Sequence, residues 1–439
     1  MTGPPKTPAE DSPGLEPEAV TAPGDTSMAP SPERPARPSL ARQAAALGRG
    51  LLIPALAIFT ALLVGALVIV LSDQEIIGLL TRDPLAALGA SVSAVATAYG
   101  ALFAGSIGDP GRIVGALASA DGEAFLRSLE PISATLRAST PLIFTGLAVA
   151  LGFRAGLFNI GAEGQLYLGG IFAIAVGFSF AGLPFFLHIP LAVAAGFAGG
   201  MLWGFIPGFL KARTGAHEVI VTIMLNYVAY RLVDLVLKTP FFQRPGRNDP
   251  ISKEVEASAI LPPLIPGLSG VHWGLVIALI AAAIVSWLLF RSTKGFEFRA
   301  VGLNPQAARY AGISPGRTVM LAMAISGGLA GLAGASEVLG SIRRLSPGFS
   351  PGYGFDAIAL ALLGRSRPLG VVAAALLFGA LRAGATPMQA ATGIPIDLVV
   401  VIQALVIMFV AAPALVRGLY RIRTERVTGT EVFSKGWGT

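Results

Sequence analysis

The sequence predicts an all-α polytopic membrane bundle of about ten spans with broken or re-entrant helices, because a crossing needs about 20 apolar residues and such runs recur along the chain. Composition agrees. Hydrophobic residues are 54% of the chain and charged residues 13%, with a mean hydropathy of +0.70, whereas soluble domains carry about 25% charged residues. Glycine-rich stretches bearing carboxylates and amides interrupt the apolar pattern around 156–170 and 346–368.

Residues 1–45 are rich in Pro, Ala, Ser and Glu and poor in large apolar residues. Such a segment has too little apolar surface to fold alone and is expected as a disordered cytoplasmic tail. The first apolar run begins too late and lasts too long for a secretory signal. The transmembrane domain is expected over 46–425, and 426–439 as a cytoplasmic C-terminal tail. Within the domain, spans are expected at 51–71, 135–152, 166–187, 191–210, 219–237, 273–290, 319–339, 369–385 and 397–416. The apolar piece 353–363 is too brief for a regular span.

Basic residues set the sides, since loops on the cytoplasmic face collect Lys and Arg. Arg37, Arg42 and Arg49 precede the first span, and Arg417, Arg421, Arg423 and Arg426 follow the last. Both termini are therefore expected to be cytoplasmic, which requires an even number of crossings. Counting 353–363 as a crossing meets that and places Arg365 and Arg367 inside. Lys211 and Arg213 mark another inner loop, and 291–317, with Lys294, Arg299 and Arg309, a third. The segments 72–131 and 238–271 then lie outside, with Ser252 expected to be accessible there. Within the first, 84–105 is expected as an external or re-entrant helix.

The net charge of +7 is read as basic cytoplasmic loops, and no nucleic-acid partner is expected. The absence of cysteine excludes a disulfide framework and Cys-based metal sites. His188, His217 and His272 lie far apart, so neither a metal site nor a cofactor is expected. No GxxxxGK[ST] loop occurs and no His is placed to serve a nucleophile, so the chain is not expected to be an enzyme.

GLFNIGAEGQLYLGG, residues 156–170, places Asn159, Glu163 and Gln165 among glycines. Glycine weakens helices by about 1 kcal/mol, so Gly156, Gly161 and Gly164 are expected to break one. Non-helical backbone at membrane depth survives inside protein or beside water, and intramembrane ionisable groups mark pathways. A cytoplasmic hairpin after Arg154 fits the spacing equally well. SPGFSPGYGFDAIALALLGRSRP, residues 346–368, has a similar layout with Tyr353 and Asp356. Interrupted helices in matching positions point to a transporter's midplane site. Glu218, Thr222, Asn226, Tyr230 and Asp234 recur every fourth residue in 218–234. That ridge faces either a cavity or a neighbouring helix. In 290–317, Asn304 before Pro305 reads as an N-cap with Pro at the first helical position. A short Ala-rich helix then runs to Gly312, suited to a partner's groove or to a plain connection.

RAGLFNIGAEGQLYLGG, TGAHEVIVTIMLNYVA, GLNPQAARYAGIS and SPGYGFDAIALALLGRSRPLG together resemble the permease subunits of bacterial ABC importers. The resemblance is to the family of nucleoside, ribose-type sugar and branched-chain amino-acid permeases, closest to the nucleoside branch, and runs from about Ile53 to Val416. It implies a multi-pass protein of the bacterial cell membrane, in contact with lipid, carrying a small polar solute. It also implies a second permease chain, ABC ATP-binding subunits and an external lipid-anchored solute-binding protein. Carried onto this chain, the ATPase-coupling helix comprises Asn304, Pro305, Ala307, Ala308, Arg309, Tyr310, Ala311 and Gly312. Asn159, Glu163, Gln165, Asn226 and Asp356 match polar motif positions. With Phe158, Thr222, Tyr227, Tyr230 and Tyr353 they are the expected solute pathway, where amides and carboxylates meet ribose hydroxyls and base edges, and aromatics take the bases. The expected function is the permease of an ATP-driven importer, with nucleosides as solute. The alternatives are a simple sugar or other small polar solute, or an ion-coupled secondary transporter.

Overall fold

The computed structural model describes residue 3, residues 40–268 and residues 270–421. The tails expected at 1–45 and 426–439 fall outside these, save for residue 3 and the first turns of α1. Arg37, Arg423 and Arg426 also lie outside. The elements are α1 (Leu40–Ser72), α2 (Gln74–Arg82), α3 (Pro84–Ile107), α4 (Pro110–Ala118), α5 (Gly122–Ser128), α6 (Glu130–Arg154), α7 (Ala162–Ser179), α8 (Phe185–Thr214), α9 (Glu218–Val236), α10 (Gly274–Arg291), α11 (Thr293–Leu303), α12 (Pro305–Tyr310), α13 (Pro315–Ser336), α14 (Tyr353–Leu363), α15 (Pro368–Thr392), α16 (Asp397–Ala411) and α17 (Pro413–Leu419). Among the described residues extended pairing is confined to the isolated bridges Gln243–Ser252 and Pro263–His272. The described residues from Leu51 onward form one compact unit, and the described residues up to Gly50 belong to a separate one.

Eight described helices are long and apolar enough to cross a bilayer: α1 from Pro54, α3, α6, α8, α9, α10, α13 with its extension to Ser341, and α15. This is a multi-pass membrane bundle. The segment 84–105, expected as an external or re-entrant piece, is one unbroken helix of spanning length. Asp83 caps it, accepting from Leu85 and Ala86, and Pro84 sits at its first turn. The expected span 166–187 divides instead. α7 ends at Ser179, Gly182 takes φ +86°, and Pro184 precedes α8. A proline cannot continue a helix but is pre-set to begin one. The expected span 397–416 likewise breaks at Ala412, before Pro413.

Burial separates core from periphery. The apolar windows of α6 and α13 are 78% buried, against 17% for α3 and 22% for α9. Lipid is as apolar as leucine, so helices associate through close packing of small residues. The sequences GFAGGMLWGFIPG in α8 and SGGLAGLAG in α13 do this. A Cβ on Gly200 would stand 2.6 Å from Gly331 Cα, and one on Gly204 2.5 Å from the Met323 carbonyl. α7 joins this seam where Gly169 abuts Gly331.

At one end of the bundle Arg154, closing α6, donates to the Ser366 and Arg365 carbonyls at 3.1 and 3.2 Å. Its guanidinium lies 5.5 Å from the Phe290 ring centre, with Arg299 on the same ring at 5.6 Å. The ends of α6, α10 and α14 thus share a face with α11. At the other end the long 238–272 loop is strapped down. Ser252 exchanges hydrogen bonds with Leu345, N–H to carbonyl at 2.9 Å and hydroxyl from N–H at 2.8 Å. Val271 N–H donates to Ser133 Oγ at 3.0 Å. Ser252, expected to be accessible, is therefore buried, while Asn248 in the same loop is exposed.

Candidate solute-pathway site

The break after α6 is built by its own side chains. Gly156 takes φ +70°, and α7 restarts at Ala162. Gly164, expected to break the helix, is instead inside it, where lack of a side chain admits α9: Asn226 Oδ1 would be 2.8 Å from its Cβ. Asn159 and Gln165 form a reciprocal amide pair, Asn159 Nδ2 to Gln165 Oε1 at 2.8 Å and Gln165 Nε2 to Asn159 Oδ1 at 3.1 Å. Asn159 also donates to Ser326 Oγ of α13 at 2.9 Å and accepts from Gly161 N–H at 3.0 Å. Two donations and two acceptances fill an asparagine side chain. Ser326 in turn donates to the Ala148 carbonyl at 2.7 Å, so the knot ties α6, the break, α7 and α13.

Asn226 ties α9 to the same break. It accepts from Gly164 N–H at 2.8 Å and donates to the Ile160 carbonyl at 3.0 Å. The first turn of a helix has N–H groups with no intrahelical partner, and Asn226 serves one from outside the helix. Thr222 is buried, with its hydroxyl on the Val219 carbonyl. The four-residue ridge of α9 thus faces α7, and Glu218, at its foot, pairs with Lys211 at 2.7 Å.

Glu163 reaches α14. Its Oε2 accepts from Gly354 N–H at 2.7 Å, so a carboxylate from the first turn of α7 caps the first turn of α14, where negative charge is favourable. Arg382 of α15 holds the other side: it pairs with Asp356 at 2.9 Å, donates to the Pro351 carbonyl at 3.1 Å and lies 4.7 Å from the Tyr353 ring centre. Its Nη1 is buried with no hydrogen-bond partner among the described residues. Phe158 stacks on Phe153 at 5.3 Å, within the break itself.

Beside this junction lies an aromatic cleft of about 270 Å³ lined by Tyr167, Tyr230, Val233, Asp234, Pro347 and Gly348. The rings of Tyr167 and Tyr230 meet edge-on at 4.9 Å, and Tyr167 touches Phe349 at 4.7 Å. Tyr227 stands 6.2 Å from Tyr230 and is 62% exposed, on the outer face of α9. Arg231 shares that face, 85% exposed.

Sequence reasoning missed Tyr167, Phe349, Ser326, Arg382 and Glu337. Arg382 and Glu337 carried a usable signal, a charge inside or at the end of an expected span. Glu337 is buried in a π turn, Glu337–Ser341, that extends α13.

At the opposite end α11 and α12 form the helical connection expected to couple. Asn304 Oδ1 accepts from Gln306 and Ala307 N–H at 3.0 Å each, Pro305 opens α12, and Gly312 takes φ +81°. Ala307, Arg309, Tyr310, Ala311 and Gly312 are exposed, Tyr310 at 94%. Ala308, expected among the docking residues, is buried at 4% and packs inward, because it sits on the face of α12 turned to its own chain. α11, unforeseen as a helix, brings Gly302 against the break: a Cβ on Gly156 would stand 2.8 Å from Gly302 Cα.

Residues 132–411 match the family described as the branched-chain amino acid transport system / permease component. The chain belongs to that permease family. It is 39% identical to the guanosine ABC transporter permease protein NupP of Bacillus subtilis, over 84% of this chain and 94% of that protein. It is 40% identical to the nucleoside ABC transporter permease protein NupB of Lactococcus lactis subsp. cremoris, over 65% of this chain and 80% of the relative. It is also 40% identical to the glucose ABC transporter permease protein TsgB13 of Haloferax volcanii, over 62% and 73%. No solved structure matches the chain. The chain is thus an ABC transporter permease.

Proposed function

We propose that this permease carries nucleosides inward through a path beside α7, α9 and α14, driven by a separate ATP-binding subunit seated on α11 and α12. The single observation that carries the nucleoside reading is the 39% identity to the guanosine permease; the contact of Gly302 with Gly156 supports the coupling. A push on the exposed α12 is transmitted through α11 to the break between α6 and α7, and so to the Glu163–Gly354 junction.

Asn159, Gln165 and Asn226 then act by holding the break rigid, since their hydrogen bonds are spent inside the chain. Tyr230, Tyr353, Asp356 and Arg382 remain for the solute. Tyr227 and Arg231 give the outer face of α9 a polar aspect costly against lipid, which supports its facing water or a second permease chain. Two permease chains, inward-facing termini and an external lipid-anchored binding protein complete the proposed machine. The glucose permease among the relatives supports the runner-up reading, a simple sugar.

The test is uptake of labelled guanosine by cells carrying the complete importer, with adenosine, ribose and glucose as competitors. Uptake should stop on ATP depletion and persist with a protonophore while ATP is maintained. Loss with the protonophore alone would make it an ion-coupled carrier, and competition by ribose or glucose but not by adenosine would make it a sugar permease.

A further inference from the structure

Asp234 sits near the C-terminal end of α9, the end that leads into the strapped-down 238–272 loop. It lines the 270 Å³ cleft together with the Tyr167 and Tyr230 rings. That volume is just below the usual range for ligand sites, about 300–1,000 Å³. It therefore suits a solute no larger than one base with its sugar.

Arg231 Nη1 holds Asp234 Oδ2 at 3.1 Å. Asp234 Oδ1 takes no hydrogen bond from the described residues, and the side chain is 36% exposed. The carboxylate is thus oriented by its neighbour and still has acceptor capacity facing the cleft. The Arg231–Asp234 pair is neutral overall, which favours an uncharged solute over an anion. Two carboxylate oxygens side by side accept best from two adjacent donors, as Arg–carboxylate pairs illustrate. Among nucleosides, the ribose 2′,3′-diol offers such a pair whatever the base. The half-buried Tyr230 ring, backed edge-on by the buried Tyr167, offers an aromatic surface of the kind any base can stack on.

We propose that this cleft is the entry subsite of the permease, in which Asp234 accepts the vicinal hydroxyls of the solute's ribose while Tyr230, backed by Tyr167, takes the base. This deepens the nucleoside reading above and rests on it. Asp234 is then the residue by which the permease itself distinguishes ribonucleosides from deoxynucleosides. The outer position of the cleft makes it a capture step, so its loss raises KM and leaves the maximal rate in place.

The experiment measures uptake of labelled guanosine by the full importer in cells, with guanosine, 2′-deoxyguanosine, 2′,3′-dideoxyguanosine and inosine as unlabelled competitors. D234N is compared with the unchanged chain and with D249N, an acid of the 238–272 loop that pairs with Arg247 away from the cleft. The expected result is that D234N raises the KM for guanosine by about tenfold, the worth of a hydrogen bond to a charged group. Its preference for guanosine over the deoxy competitors should shrink by a similar factor, with D249N unaffected. Y230F should keep most of the uptake and Y230A should lose affinity for all the competitors alike. An unchanged ribo-to-deoxy preference in D234N overturns the proposal. A changed guanosine-to-inosine preference with the deoxy preference intact also overturns it, because the carboxylate would then be reading the base. Failure of the unchanged importer to take up guanosine would strike the nucleoside reading itself, separately from the role of Asp234.

Discussion

The two glycine-rich breaks look alike in sequence and differ in how their polar groups are satisfied. Around 155–165 the groups are buried and consume one another: Asn159 is fully bonded, Gln165 and Asn226 serve the backbone and the knot, and all three are 2% exposed or less. Around 346–356 the groups are charged and partly open. Asp356 and Arg382 are 26% and 23% exposed, and Phe355 beside them is exposed. A buried polar network fully satisfied is rigid, whereas a partly solvated ion pair is worth about 0–1 kcal/mol and exchanges partners easily. The first break is a fully bonded anchor and the second is the more solvated side of the junction. Glu163 joins them through its hydrogen bond from Gly354 N–H.

That contrast can be broken most decisively at Asn159. Asn159→Ala should orphan Gln165 and Gly161 N–H and strip Ser326 Oγ of its donor, at about 1–3 kcal/mol for each buried group left unsatisfied. The expected outcome is loss of folded protein in size-exclusion chromatography of the detergent-extracted chain; a normal yield would show that the knot does not anchor. Gly302→Val comes next. A side chain there meets the Arg154 carbonyl at 2.5 Å and Gly156 N at 2.8 Å. ATP-driven uptake should fall more than tenfold, a penalty of about 1.4 kcal/mol or more, while the ATPase still co-purifies.

Arg382→Gln should sharpen the comparison from the more solvated side. Folded yield should stay near normal, since the pair is partly solvated, while uptake falls several-fold, by less than 1.4 kcal/mol. Equal losses of yield and uptake would place this pair with the anchor. Tyr310→Ala, on the exposed face of α12, should weaken co-purification of the ATPase and leave folding unchanged; Ala308 is unsuitable for that test because it packs inward. The topology itself is open to labelling at Asn248→Cys, expected to react from outside only.

The smallest effect concerns His272, outside the spans. Burial, with Arg137 adding to it, pushes its imidazole from 6.5 down to about 4. Its Nδ1 accepts from Gly274 N–H at 3.1 Å, which requires the neutral ring. The unfolded chain binds the proton more readily than the folded one, so stability present above pH 6.5 is lost as pH falls toward 4. The melting temperature of the purified protein should drop over that window, and less so in His272→Gln.

Much of this was legible in the residues. The apolar runs, the caps at Asp83 and Asn304, and the four-residue ridge of α9 follow from local rules: run length, capping chemistry and helical period. The break near Gly156 was legible too, and Pro184 and Pro413 held the signals for the span ends that the apolar runs overran. Where Asn159 spends its hydrogen bonds was not, because its partner Ser326 lies far along the chain and an amide in isolation has no preferred partner. Nor could the sequence tell that Gly302 meets Gly156, or that Arg382 closes on Asp356. In a bilayer the apolar surface of a helix has little preference between lipid and protein. Which faces turn inward is decided by small-residue seams such as α8 with α13, and by polar groups finding each other. Sequence therefore set the number and kind of helices to a first approximation, and tertiary packing alone decided which polar groups are spent inside the chain and which stay partly open.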